Sequence, residues 1–198
     1  MYKYFIAHKP YNVLSQFSSI DGQQTLKDFF DVPSNVYPVG RLDYDSEGLL
    51  ILTDDKKLNK LLLNPSFKHE REYWVQVEGE ISEEAINKLQ QGVSIHHNGK
   101  NYFTKKSIVK KFSSPFPNVG ERNPPIRFRK NIPDSWISIL LTEGKNRQVR
   151  KMTARVGYPT LRLIRYRIEN ITLAELEAGE MRIISQEEMY NLLKIKKR

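Results

Sequence analysis

Residues 40–55 read GRLDYDSEGLLILTDD. The stretch divides at Gly48. After it comes a run, Leu49 to Leu52, with the apolar, branched side chains of a buried strand. Before it lies a loop, 41–47, that holds Arg41 and three carboxylates, Asp43, Asp45 and Glu47. A second short strand is expected at 37–40. Thr53 or Asp54 can cap a helix over 56–63 that stops before Asn64 and Pro65. The loop has two readings: an acidic turn in which Asp45 or Ser46 satisfies backbone donors, or a rigid loop presenting a carboxylate nucleophile kept ionised by a nearby arginine. Its residues alone do not choose.

Outward from this stretch, residues 3–8 alternate as a strand and Lys9-Pro10-Tyr11 reads as a turn. A short helix suits 25–30. In 72–79, Tyr73, Val75 and Val77 share one face, and Trp74, Gln76 and Glu78 the other, which predicts a half-buried strand. A helix over 81–92 starts at a Ser82 cap and stops at Gly92. Residues 102–112 alternate again, and 113–131, rich in proline, reads as a long loop. Strand 136–142 precedes a helix over 146–156, whose Val149, Met152 and Val156 form a packing stripe while Arg147, Arg150, Lys151 and Arg155 form a basic one. Strands are expected at 160–168 and 181–184, and Ser185 with Glu188 forms a capping box for a last helix through Leu193.

The 198 residues, 39% apolar and 28% charged, fit one domain or two lobes sharing a core. No apolar run approaches the ~20 residues of a membrane span, and the N-terminus lacks a secretory pattern, so a cytoplasmic protein is expected. The absence of cysteine excludes disulfides, thiolate zinc sites and cysteine nucleophiles. No Walker loop, dinucleotide fingerprint or zincin pattern occurs. His8, His69, His96 and His97 show no metal-ligand spacing, since adjacent residues of a strand face opposite ways; no metal is expected. The net charge is +9, and residues 122–167 carry 12 basic and 2 acidic residues, leaving 20 against 21 elsewhere. Such concentration reads as a footprint for phosphates, hence for nucleic acid. The basic C-terminus (Lys194, Lys196, Lys197, Arg198) reads as a frayed helix end.

Three stretches, GRLDYDSEGLLILTDD at 40–55, REYWVQVEG around Tyr73 and LTEGKNRQVRKM at 141–152, resemble in order the motifs of the RsuA and RluB/E/F branch of RNA pseudouridine synthases. The resemblance covers essentially the whole chain, and 122–167 looks most like the RluE type. It implies isomerisation of a uridine in ribosomal RNA, of the large subunit (23S) first and the small subunit as the alternative, without cofactor or metal. Asp43 is then the catalytic aspartate, acting as a nucleophile at C1′ or by removing a 2′ proton. Tyr73 packs against the target base, Arg150 pairs with the aspartate, and Leu141 forms an apolar wall under the uracil. Arg41 acts as the uridine is flipped, and Lys145, Arg147, Lys151 and Arg155 contact phosphates.

The implied fold is α+β: one pseudouridine synthase catalytic domain over 1–198 with a mixed, largely antiparallel bent sheet, flanking helices, two sublobes and a central cleft. Two departures stand out. The chain starts directly on the first catalytic strand, without the S4-type RNA-binding module of many members, which puts RNA capture on the catalytic domain. Lys145 and Lys151 stand where arginine is more usual, keeping charge but losing bidentate geometry. A monomer bound to ribosomal RNA and to no membrane is expected. Two rivals are an RNA-binding or ribosome-assembly factor with a dead site, and a metal-dependent nuclease using Asp43, Asp45 and Glu47.

Overall fold

The computed structural model describes residues 1–114, 117–126, 132–174 and 176–195. Among them the chain forms, in order, β1 Tyr4–Lys9, β2 Tyr37–Pro38, β3 Glu47–Thr53, α1 Lys56–Leu63, β4 Arg71–Glu78, α2 Glu83–Gln91, β5 Ser94–His97, β6 Lys100–Phe103, β7 Ile108–Lys111, β8 Asp134–Leu141, α3 Gln148–Arg155, β9 Thr160–Ile168, β10 Ile171–Thr172, β11 Met181–Ile183 and α4 Gln186–Leu192. Single 3-10 turns stand at Leu26–Asp28 and Pro65–Phe67. This is the expected α+β class, and the registered pairings β1–β3, β1–β11, β4–β8 and β7–β8 are all antiparallel. No helix among the described residues is long and apolar enough to cross a membrane.

The chain divides into two compact units, Met1–His69 with Arg165–Arg198, and Glu70–Ile164. In the first, β3 is buried at all seven positions, as its unbroken apolar run demands. One face of β1 and β3 packs Phe5, Ala7, Leu50 and Leu52 with Val13, Leu26, Phe30 and Val36. On α1, Asp55 is the N-cap, in place of the expected Thr53 or Asp54: its Oδ1 accepts from the Lys57 and Leu58 amides, while Asp54 accepts from the Lys3 amide and Asn35. Asp55 Oδ2 also takes both the Tyr4 and Tyr190 hydroxyls, each at 2.7 Å, tying β1, α1 and α4 together. The helix expected over 25–30 contracts to one 3-10 turn, closed by a reciprocal Thr25–Asp28 box.

In the second unit, the alternation of 71–78 does what it predicts. Val75 and Val77 join Ile137, Ile139 and Leu141 of β8, Ile86 and Leu89 of α2, and Val149 and Met152 of α3 in one core, with Tyr73 packed at its rim. Residues 102–112, expected as one alternating run, fold otherwise. Tyr102 and Phe103 end β6, which pairs back on β5 through an Asn98-Gly99 turn, and a new strand, β7, begins at Ile108 and joins β8. Positive φ at both Asn98 and Gly99 marks the tight hairpin turn, a signal the sequence carries in that dipeptide. Of the proline-rich loop expected over 113–131, residues 115–116 and 127–131 lie outside the described residues, as do Lys196, Lys197 and Arg198.

Candidate active site

Asp43 sits on the loop between β2 and β3, half-buried, with exposed Arg41 two residues before it. The backbone is pinned on both sides. Ser15 Oγ donates to the Leu42 carbonyl at 2.8 Å and accepts from the Leu42 amide at 3.0 Å, a two-way clamp on the residue preceding Asp43. The Ser46 amide donates back to the Asp43 carbonyl at 3.1 Å, closing a turn. At the loop's exit, a Cβ on Gly48 would lie 2.4 Å from the Arg165 carbonyl oxygen, and its φ is +113°. Only glycine lets β9 come this close.

Beneath the loop lies a lysine. Lys9 is fully buried at the end of β1, and its Nζ donates to the Pro10 and Val13 carbonyls at 2.8 and 2.7 Å. Burial pushes its pKa down to about 7, against the attraction of Glu47, Asp45 and Asp43, while Arg165 adds to the lowering. Glu47 and Arg165 are themselves buried, and Arg165 Nε donates to the Leu49 carbonyl at 2.8 Å. The carboxylate loop thus rests on a buried set of charges that the sequence reading missed. The signal was present, a lysine between an apolar strand and a proline, but it read as a turn.

The remaining residues expected in the site belong to the second unit. Tyr73 is half-buried on β4, opposite Ile139 of β8. Leu141, opposite Arg71, shares that face and is buried. Arg150 and Lys151 are half-buried on α3, Arg155 is exposed at its end, and exposed Arg147 precedes it with φ +53°. The third stretch is shaped by a residue not anticipated, Glu143. Its Oε1 accepts from Gln148 Nε2 at 2.7 Å and from the Lys105 amide at 2.9 Å, and its Oε2 takes the Tyr102 hydroxyl at 2.5 Å. Gln148 Oε1 in turn accepts from the Lys145 amide at 2.9 Å. Burial alone would push the Glu143 carboxyl up, but Tyr102, the Lys105 amide and Gln148 together hold it below the ordinary range. The hydrogen bond Tyr102 gives to Glu143, then burial and that negative charge, push the phenol up to about 12. An isolated acid inside a strongly basic stretch was the available clue.

The charge footprint needs a correction. Arg162 and Arg165, counted within it, are buried: Arg162 donates to the Gly120 and Val119 carbonyls at 2.8 and 3.3 Å, and Arg165 to Leu49. These two arginines hold backbone in place. Arg127, Arg129 and Lys130 lie outside the described residues. Nor do Asp43, Asp45 and Glu47 converge as a nuclease would need, for among the described residues no group of three or more acids or histidines is placed to hold a metal ion.

The clamped Asp43 loop stands in the first unit and the basic helix α3 in the second, and comparison with known proteins supplies the family. Residues 3–155 match the RNA pseudouridylate synthase family, and the chain belongs to that family of enzymes. Among curated relatives it is 47% identical over 182 residues to ribosomal large subunit pseudouridine synthase E of Vibrio parahaemolyticus, covering 92% of this chain and 74% of that protein. It is 45% identical to the protein of the same name from Xanthomonas campestris, covering 90% and 93%. A crystal structure of a pseudouridylate synthase, 27% identical, superposes with a TM-score of 0.76 over 97% of this chain and 74% of that one.

Proposed function

We propose that this protein converts a uridine of large-subunit ribosomal RNA to pseudouridine, with Asp43 as the catalytic carboxylate and neither metal nor cofactor. The target class follows the relatives named for the large ribosomal subunit. The observation that carries the assignment of Asp43 is its setting: a half-buried carboxylate whose backbone is clamped by Ser15 and the Ser46 turn, above a buried lysine. A catalytic group needs a fixed approach to its substrate, and this loop supplies it.

The reaction is an isomerisation and balances within the nucleotide. The N1–C1′ bond breaks, the uracil turns, a C5–C1′ bond forms, the C5 proton leaves and N1 gains a proton. Asp43 serves it as a nucleophile at C1′ or as the base for a 2′ proton. Tyr73, at the rim of the β4–β8 core, and Arg150, on α3, serve the same reaction, as the family resemblance implies. The target must leave its stack for C1′ and C5 to be reached. Arg41 assists that step, and Lys145, Arg147, Lys151 and Arg155 hold phosphates.

The test is tritium release from ribosomal RNA labelled at uracil C5, with chelator present. Wild type is expected to release label from large-subunit RNA, and Asp43→Ala to lose at least about 10⁴-fold in rate while still binding RNA. Release by Asp43→Ala at the wild-type rate would overturn the catalytic assignment. Release from small-subunit RNA only would overturn the target.

A further inference from the structure

The β5–β6 hairpin and the segment that follows it through β7 play no part in the chemistry above, yet their composition is unusual. From Ser94 to Lys111 there are five lysines, two histidines and not one acidic residue. These 18 residues lie outside the 122–167 segment, in the part of the chain whose charges otherwise cancel. Lys100, Lys105, Lys106 and Lys110 are exposed; Lys111 pairs with Glu80, and the Lys105 charge acts on Glu143.

The register sorts the hairpin into two faces. Ile95 opposes Tyr102 and His97 opposes Lys100; this face carries buried Ile95 and a His97–Tyr102 edge contact with ring centroids 6.2 Å apart. Ser94 opposes Phe103 and His96 opposes Asn101 on the other face, where His96, Asn101 and Phe103 are all exposed. Phe103 stands 66% exposed, and one ring edge lies close over Gly92. An exposed phenyl ring flanked by an imidazole, an amide and several lysines matches the chemistry that holds an unpaired base: a stacking platform, hydrogen-bonding groups at the base edge and cations for the phosphates. Protein-binding surfaces, by contrast, are depleted in lysine.

The hairpin is also joined to the third stretch. Tyr102 donates to Glu143 and lies under Lys145, whose Nζ is 4.9 Å from the ring centroid, and the Lys105 amide shares the Glu143 oxygen that anchors Gln148 at the start of α3. The hairpin and the start of α3 are thus held to each other within the same unit.

We infer that the outer face of the β5–β6 hairpin is a second RNA-binding surface, with Phe103 stacking on an unpaired base and Lys105 and Lys106, just beyond the end of β6, contacting the flanking phosphates. The inference rests on the RNA-modifying reading above, and it places substrate capture partly outside the residues of the three stretches.

Filter binding of unmodified, in vitro transcribed large-subunit ribosomal RNA tests it, because binding is read whether or not the RNA is turned over. Phe103→Ala and Phe103→Leu should each raise Kd about tenfold with the salt dependence unchanged, and Phe103→Tyr should restore wild-type binding. Lys105→Ala/Lys106→Ala should make the plot of log Kd against log salt shallower by about 1.4. Single-turnover rates at saturating RNA should stay at the wild-type value for all four variants. Binding within twofold of wild type for Phe103→Ala and the double lysine variant would overturn the proposal. So would wild-type binding by Phe103→Leu, or a fall in the saturated rate at unchanged Kd, which would make the hairpin a support for Glu143 and nothing more. Wild-type protein that binds RNA through the hairpin but releases no tritium would count against the enzymatic reading alone.

Discussion

Lys9 and Gly48 bound the Asp43 loop, and each makes a prediction from its own atoms. A side chain at Gly48 would collide with the backbone of Arg165. Backbone cannot rotate aside as a flexible side chain can, so Gly48→Ala should cost about 2–4 kcal/mol, read from urea midpoints. Lys9 is protonated in the unfolded chain up to its ordinary value of 10.5 but only up to about 7 in the fold. Between these values the unfolded state binds more protons, so the lysine's contribution makes stability rise with pH from about 7, until tyrosine ionisation begins near 10. Lys9→Met should remove that rise. Urea midpoints at intervals from pH 6 to 10 check it, and an unchanged profile would show that the buried ammonium is not the titrating group.

At the scale of elements, Asp55 links three of them by one carboxylate. It caps α1 and accepts the hydroxyls of Tyr4 on β1 and Tyr190 on α4. Burial pushes this carboxyl up, but Tyr190, Tyr4 and the Leu58 and Lys57 amides together hold it below the ordinary carboxylate range. Its stabilisation is therefore full above that range and lost as pH falls through the depressed value. Asp55→Ala removes the cap and the charged acceptor of two buried hydroxyls, and should cost about 3 kcal/mol at pH 7. The difference between wild type and Asp55→Ala should shrink in acid, which denaturation at pH 7 and at pH 3 would measure. Glu143 does the equivalent work in the second unit, where one carboxylate holds the β6 tyrosine, the Lys105 backbone and the first residue of α3.

For the whole molecule, the charge is divided unequally. Residues 70–164, the second unit, carry 17 basic and 9 acidic residues, against 15 and 14 in the first. Nearly all of the +9 therefore belongs to the unit with α3 and the β5–β6 hairpin. With about five phosphates neutralised, RNA affinity should fall about a hundredfold between 50 and 200 mM salt. Substitution Lys151→Gln/Arg155→Gln on α3 should weaken binding about tenfold and make the salt dependence shallower. The exposed lysines of the first unit's α1, changed as Lys56→Gln/Lys60→Gln, should alter Kd less than twofold. Equal effects of the two pairs would mean that RNA is captured by net charge and not by one face.

Much of this protein follows from local pattern. The apolar run after Gly48, the Val75–Val77 alternation, the Ser82 and Ser185 caps and the two stripes of α3 all became the elements they predict, because period and capping are properties of neighbouring residues. The ordered motifs marked the family and singled out the Asp43 loop. Where local pattern misled, a distant partner or an overlooked turn was the cause. Residues 102–112 alternate as one strand would, yet the Asn98-Gly99 turn folds 100–103 back on β5, and the sheet takes only Ile108–Lys111. Arg162 and Arg165 read as surface cations until packing buried them against carbonyls of Gly120 and Leu49. Tertiary structure alone placed Lys9 beneath the loop, Glu143 at the centre of the third stretch and Asp55 between two tyrosines 51 and 135 residues away. Burial and long-range pairing decide whether a charge is a surface group or a structural pin, and neither is written in the spacing of residues along the chain.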